Sequence, residues 1–240
     1  MLETAAIITI IFLAAFLQGL TGFGFALIAL PLLGFFLSIK AIVPLVVLLA
    51  TMISAYLSIR LRQSINLKST YILMLATIPG IPLGVLALKH VSQQGLALGI
   101  GVLMVLFTSY LLLYKPSPIK LGMPITALAG FSCGALGSSI GAGGPPVIIY
   151  TSLQPWDKNQ TKATLSFYFT FVGVLTVVSH ALSGMITTET LSLYATGLPA
   201  LILGMWFGTT IYKRLSDHGY KKLAFILVFL LGCMMIYKNV

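Results

Sequence analysis

The chain has 240 residues, 58% of them hydrophobic and only 8% charged, with a formal net charge of +10. That composition excludes an ordinary soluble domain, because several stretches of about 15–22 apolar residues carry no charge, the pattern of transmembrane helices. The basic residues are scattered singly and in pairs between those stretches, as topology signals rather than a phosphate-tracking groove, so no nucleic-acid partner is expected.

The chain begins Met1-Leu2-Glu3-Thr4, an acid where a secretory signal would carry positive charge, and no cleavage is expected. A first apolar run, 5–39, is interrupted by Gln18-Gly19-Leu20-Thr21-Gly22-Phe23-Gly24. Uninterrupted spans follow at 41–59, 71–88 and 96–114. A second run, 123–154, is interrupted more heavily between Gly134 and Pro146, where Gly137-Ser138-Ser139-Ile140-Gly141-Ala142-Gly143-Gly144 leads into Pro145-Pro146. Neither run makes one unbroken helix, since an internal Gly costs about 0.8–1 kcal/mol against Ala and an internal Pro about 3. Spans at 165–182, 191–212 and 223–237 complete the chain. Cys133 and Cys233 fall in apolar segments without metal-like spacing and read as small buried hydrophobes.

The count of basic residues chooses between two topologies. If each broken run crosses the membrane once, the 14 Lys and Arg divide almost evenly. If each run turns at its glycines and leaves on the side it entered, only Lys40, Lys89 and Lys238 remain opposite the other eleven. Positive-inside reasoning favours the second arrangement, with the eleven in the cytoplasm and both termini outside it. Arms of about 14–16 residues at 1.5 Å rise would carry each turn to mid-membrane. One hairpin plus three crossings is an odd number of passes, so the second half sits upside down relative to the first.

The expected fold is therefore an all-α polytopic membrane protein of eight hydrophobic segments. It divides into two inverted repeats, 1–120 and 121–240, each a Gly-broken hairpin plus three transmembrane helices. A shift of 120 residues places Pro79 and Gly84 on Pro199 and Gly204; a shift of 119 places Gly22 and Gly24 on Gly141 and Gly143. Inverted repeats with broken helices are a pattern of secondary transporters, with the site where the halves meet.

A hairpin's second arm begins at the break, so its unpaired N–H groups and positive dipole end make an anion site. Candidate binding residues are Gln18, Thr21, Gly22 and Gly24 from the first break, and Ser138, Ser139, Gly141, Gly143 and Gly144 from the second. Glycine and serine also serve tight helix packing in membranes, which is the plainer account of each break alone. Glu3, Asp157, Glu189 and Asp217 lie at span ends or in loops, which counts against cation transport. Almost no fixed charge, and no metal or cofactor, is expected within the spans. His180 is the lone embedded histidine and a candidate coupling group, although a satisfied interfacial histidine accounts for it as well. The hydroxyls of Thr51, Ser54, Ser58, Thr164, Ser166 and Thr170 are explained by bonding back to their own helix. Gly137-Ser138-Ser139-Ile140-Gly141 also matches a nucleophile pattern, with His180 as a base, but the strand–turn–helix setting is absent. An intramembrane serine hydrolase built on Ser139 and His180 is thus a remote alternative, and an anion channel a nearer one.

The doubled breaks, with Gly141-Ala142-Gly143-Gly144-Pro145 the fuller copy, resemble the sulfite exporter TauE/SafE family. So do Ile78-Pro79-Gly80-Ile81-Pro82-Leu83-Gly84 and Leu198-Pro199 with Leu203-Gly204, in the family's order over essentially the whole chain. The resemblance implies a bacterial inner-membrane, multi-pass permease for sulfite, organosulfonates or related small anions, not an enzyme. Its expected partners are that anion and the lipid bilayer, and a homodimer is left open. In the first copy Phe25 and Ala26 stand where members often continue with glycines, so that copy is expected to line the pocket less openly.

Overall fold

The structure, a computed structural model, describes residues 2–67, 70–114, 119, 121–212 and 219–240. Lys68, Lys115, Lys120, Lys213, Arg214 and Asp217 lie outside the described residues, as do the side chains of Lys221 and Lys222. The chain is all helical, without strands among the described residues. In order the helices are α1 (Leu2–Thr21), α2 (Phe25–Leu33), α3 (Ile39–Arg60), α4 (Tyr71–His90) and α5 (Gln93–Leu113). Then come α6 (Met123–Ile140), α7 (Gly144–Ser152), α8 (Lys158–Leu182), α9 (Thr188–Tyr212) and α10 (Gly219–Asn239). Among the described residues seven of these are long and apolar enough to cross a membrane, and α10 adds a shorter apolar stretch, Phe225–Asn239.

Side-chain caps set several starts. Ser38 accepts from Ala41 N–H, Ser92 from Gly95 N–H, and Asp157 from the N–H groups of Asn159 and Gln160. The last cap opens α8 at Lys158, seven residues ahead of the expected span, and so draws Lys162 into the helix.

Glycines set the packing. Gly130 lies on Leu73, Gly134 on Thr77, and Gly84 on Ala135 and Ser138, so α4 and α6 run side by side in the same direction. Gly197 lies on Ile11, Gly204 on Phe12 and Gly208 on Phe16, and α9 runs beside α1 in the same way. Close backbone approach of this kind is what small residues permit where lipid offers no hydrophobic drive to association. Gly173 rests on Thr51, and the Asn66 N–H donates to Thr164, which makes α3 and α8 antiparallel. Gly101 faces Ile236 while Gln94 bonds the Asn239 carbonyl, which makes α5 and α10 antiparallel. Exchanging α1–α5 with α6–α10 reproduces each of these pairings.

In each broken run the short helix packs back against the long one. Beyond α7 the Leu153 carbonyl accepts from the Ile119 N–H ahead of α6, at 3.0 Å. Beyond α2, Phe35 lies under the Lys238 ammonium and shares a cleft with Gln93 and Asn239. Lys40 at the start of α3 donates to the Lys89 carbonyl at the end of α4 (2.9 Å), on that same face. The arms are unequal, however: 20 and 9 residues in the first run, 18 and 9 in the second. The expectation of arms of about 14–16 residues is corrected by these lengths. Gly19 and Gly134 instead stay helical, as contacts for Met205 and Thr77. In a variant with Cys233 replaced by serine, cysteines at Glu3 and Lys40 should react with an impermeant maleimide from one face, and a cysteine at Arg60 from the other.

Candidate functional site

The breaks themselves are built by backbone conformation. Gly22, Gly24 and Gly141 have φ of 86°, 99° and 68°, a region that favours glycine. Gly22 and Gly141, which the 119-residue shift superposes, both take it. The break after α1 is held by Thr21, whose hydroxyl accepts from the Phe23 N–H (3.2 Å) and donates to the Leu17 carbonyl (2.9 Å). The break after α6 is followed by a helix with Pro145 and Pro146 in its first turn, where a missing N–H removes nothing.

Both short helices start at one cavity of about 100 Å³. Its wall combines Phe23–Leu27 at the start of α2, Gly141–Pro145 at the start of α7, Gln18 of α1, Cys133 and Gly137 of α6, and the middle turns of α3 and α8. Neither Gly24 nor Gly143 gives its helix a side-chain cap. The first-turn N–H groups of α2 and the N–H of Gly144 in α7, where Pro145 and Pro146 carry none, therefore have no helical acceptor, and the positive dipole end of each helix lies at the cavity. The rest of the wall is largely apolar, from Phe25, Val47, Ile148, Phe169 and Val172. Three polar side chains face it besides Thr51. Gln18, only 3% exposed, donates to Ser54 Oγ at 2.9 Å, which fixes its amide. Thr176 of α8 is 1% exposed and its Oγ1 has no hydrogen-bond partner. The cavity volume is several times the roughly 10–15 Å³ that one water needs by the same measure, enough for a small solute and little more. Among the described residues no carboxylate, Lys or Arg lines it, and none form a group of His, Cys, Asp and Glu able to hold a metal.

Of the residues expected from the sequence, Gln18, Gly24, Gly141, Gly143 and Gly144 lie in this wall. Thr21, Gly22, Ser138, Ser139 and His180 lie outside it. Thr21 is spent on the break as described. Gly22 packs on the Lys162 side chain. Ser138 donates to the carbonyls of Gly134 (2.7 Å) and Ile81 (2.9 Å), tying α6 to α4. Ser139 donates to the Ala135 carbonyl of its own helix (2.7 Å). His180 Nε2 meets the Ser138 carbonyl, not a serine hydroxyl, so Ser139 and His180 do not form a nucleophile–base pair. Ser139→Ala should leave anion flux within about twofold of wild type in vesicles, since only a helix back-bond is lost.

The polar residues of α8 and α3 mostly follow the plainer account. Ser166, Thr170 and Thr51 bond the carbonyls four residues earlier. Tyr168 instead shares a hydrogen bond with Thr77 of α4. Cys133 is buried as expected, but Cys233 is exposed, on an apolar helix face.

Two residues of the interior escaped the sequence. Thr176 is indistinguishable there from any helical threonine. Lys162, expected among loop charges, is 4% exposed. Its Nζ donates to the carbonyls of Gly19 (2.7 Å) and Leu20 (3.3 Å) and lies 3.7 Å from the centre of the Tyr212 ring. Its expected place ahead of the span that starts at 165 is thereby corrected, since α8 takes it in. The charge is tolerable because it sits on the carbonyl end of α1, where the helix dipole is negative. Asp157 with Gln160 three residues on is a helix-start signature that would have revealed it.

No curated protein and no solved structure matches the chain. One family model does, over residues 7–235, and it is that of the sulfite exporter TauE/SafE proteins. The chain is a multi-pass membrane protein and belongs to the sulfite exporter TauE/SafE family.

Proposed function

We propose that the chain is a secondary transporter that carries a small anion, sulfite or a related sulfur oxoanion, by alternating access across the bacterial inner membrane. The observation that carries this reading is the single cavity onto which the N-terminal ends of two short helices open, one from each half of the chain. Main-chain N–H groups and dipole ends stabilise a negative charge without a buried counter-ion. The absence of a lining carboxylate among the described residues leaves a cation without a partner.

The exchange of helix pairings between the halves supports two inverted repeats, 1–120 and 121–240, rocking about the cavity. The eleven-to-three division of basic residues supports a cytoplasmic face at Arg60, Arg62 and Lys158, with both termini opposite. The substrate in the cavity would touch Gln18, Gly24, Gly141, Gly143 and Gly144, with the sulfur identity resting on the family.

The test is uptake by vesicles containing the purified chain, presented with labelled sulfite, sulfate, thiosulfate, sulfoacetate and acetate. Saturable sulfite uptake that is accelerated by unlabelled sulfite on the far side supports a carrier. Non-saturating flux without that acceleration would make it a channel, and no anion flux at all would end the transport reading.

A further inference from the structure

Two buried side-chain atoms among the described residues lack any hydrogen-bond partner: Thr176 Oγ1 and His180 Nδ1. They are four residues apart on α8, hence one turn apart on one face of the helix. Thr176 is in the cavity wall; His180 is fully buried beyond it. The His180 ring is anchored from its other nitrogen, with Nε2 at 2.9 Å from the Ser138 carbonyl oxygen. A carbonyl only accepts, so Nε2 carries the hydrogen and Nδ1 presents a bare lone pair. Buried polar groups are nearly always paired, and two orphans on adjacent turns, the first on a residue of the cavity wall, mark a place that something else occupies in the working cycle.

We infer that His180 is the proton-coupling group of this transporter, reached from the anion cavity through the Thr176 hydroxyl. The inference rests on the transport reading above. A proton enters with water from whichever side the cavity faces, passes along the Thr176 hydroxyl and binds Nδ1. The imidazolium then has N–H groups at both nitrogens, and its positive charge lies one turn from the bound anion. A monoanion and a proton cross together with no net charge, so an imposed pH gradient drives accumulation of the anion, whereas reorientation of the loaded carrier does not itself require the proton. On the far side the anion leaves, the proton returns to water from Nδ1, and the neutral ring is restored.

The surroundings leave His180 as the titrating group. From α6 it meets the Ser138 carbonyl, with Ser139 next to it in sequence. From α3 the turn at its level, by the register that sets Thr51 on Gly173, is Val43-Pro44-Leu45-Val46-Val47. The charged or titratable residues at that end of the neighbouring helices, Lys40 of α3, Lys89 and His90 of α4 and Glu189 of α9, are all exposed. Cys133 of α6 and Tyr168 of α8 are buried elsewhere, around Thr77 and Gly137. The same position in the first half, shifted by 119 residues, is Leu61, so the coupling is carried by one half only.

The experiment compares two measurements in proteoliposomes with labelled sulfite: exchange at equal pH on both sides, and accumulation driven by an imposed pH gradient. Exchange needs no release of the proton, whereas driven accumulation does. His180→Gln keeps a donor for the Ser138 carbonyl and removes the titrating nitrogen. It should retain exchange within about threefold of wild type and lose gradient-driven accumulation about tenfold or more. Thr176→Val should also lose gradient-driven accumulation about tenfold or more, with recovery in Thr176→Ser. All variants meet the same sulfite speciation, so the difference belongs to the protein. Gradient-driven accumulation within about twofold of wild type in His180→Gln would overturn the inference, as would loss of exchange together with accumulation, which marks a structural residue. Wild-type protein that exchanges sulfite but ignores the gradient refutes the coupling alone. Wild-type protein that exchanges no sulfite refutes the transport reading beneath it.

Discussion

Gly143→Ala should cut sulfite exchange by at least about tenfold, and Gly143→Leu should abolish it, with the protein still inserted and monodisperse. A Cβ at Gly143 would fall on the Cys133 carbonyl oxygen and within 2.8 Å of Gly137 Cα. Both are backbone of α6, in a turn whose own packing is set by Gly134 on Thr77, so neither yields cheaply. The start of α7 must then move away from α6, and with it the N–H groups at Gly143 and Gly144 that face the cavity. A displacement of about 1 Å at a binding site is enough to lower rates about a hundredfold. Gly144 makes the comparison informative. Its added Cβ would meet Ile148 Cδ1 at 3.1 Å and Phe169 Cζ at 3.8 Å, the ends of side chains that can turn aside. Gly144→Ala should therefore retain more exchange than Gly143→Ala, although both residues line the same wall. Gly99 of α5 serves as the control, with nothing within 4 Å of its added Cβ. Gly99→Ala should leave transport unchanged and stabilise the helix by about 0.8–1 kcal/mol. Exchange at the wild-type rate in Gly143→Ala would remove the second break from the binding site.

How far the residues alone reach is seen in the glycines. A break announces itself because Gly and Pro are costly inside a helix, and the doubled spacing located both breaks. The same glycines hid the lengths of the arms. Composition gives no way to separate Gly22, which takes a left-handed φ, from Gly19, which stays helical and leaves room for Met205 O, 2.8 Å from where a Cβ would stand. That difference depends on a partner helix nearly two hundred residues further along the chain. The Pro79/Gly84 and Pro199/Gly204 spacing was legible as a repeat but not as a device. Each of Gly84 and Gly204 takes the close approach of the long arm from the opposite half, α6 and α1 respectively. The site divided for a similar reason. Gln18 and the glycines of the second break face the cavity, whereas Ser138 and Ser139, adjacent to it in sequence, turn away because a helix places successive side chains about 100° apart. Thr176 carried no local signal and His180 stood out only as the one histidine within a span, since an orphaned atom is defined by what is missing around it in space.

Lys162→Met should destabilise the protein by about 2–4 kcal/mol and lower its melting temperature in detergent by about 5 °C or more. The long apolar replacement fills most of the space of the lysine stem, so the loss is that of the ammonium rather than of packing. Its hydrogen bonds to the carbonyls of Gly19 and Leu20 satisfy acceptors at the end of α1 that have no N–H to receive. Hydrogen bonds from a charged donor are worth about 1.5–3 kcal/mol each, and the carbonyls stay behind, buried, when the donor goes. The Tyr212 ring at 3.7 Å joins α9 to the same ammonium, so one side chain from α8 holds α1 and α9 together at the mouth of the first break. Transport should fall with stability, because the turn that Lys162 steadies leads directly into Gly24 and the start of α2 in the cavity wall. Lys162→Gln separates the two contributions. An amide can still donate to one carbonyl but offers no charge to the helix dipole or the ring, so it should recover part of the melting temperature without recovering all of it. Lys162→Arg should do no better. Gly22 stands where a Cβ would come within 2.7 Å of Lys162 Cγ, and a bulkier, planar head cannot follow the path of the lysine stem past that turn. If Lys162→Met melts with the wild type, the ammonium is not what holds the two halves together at this end of the cavity, and the shape of the break must come from Thr21 and the glycines alone.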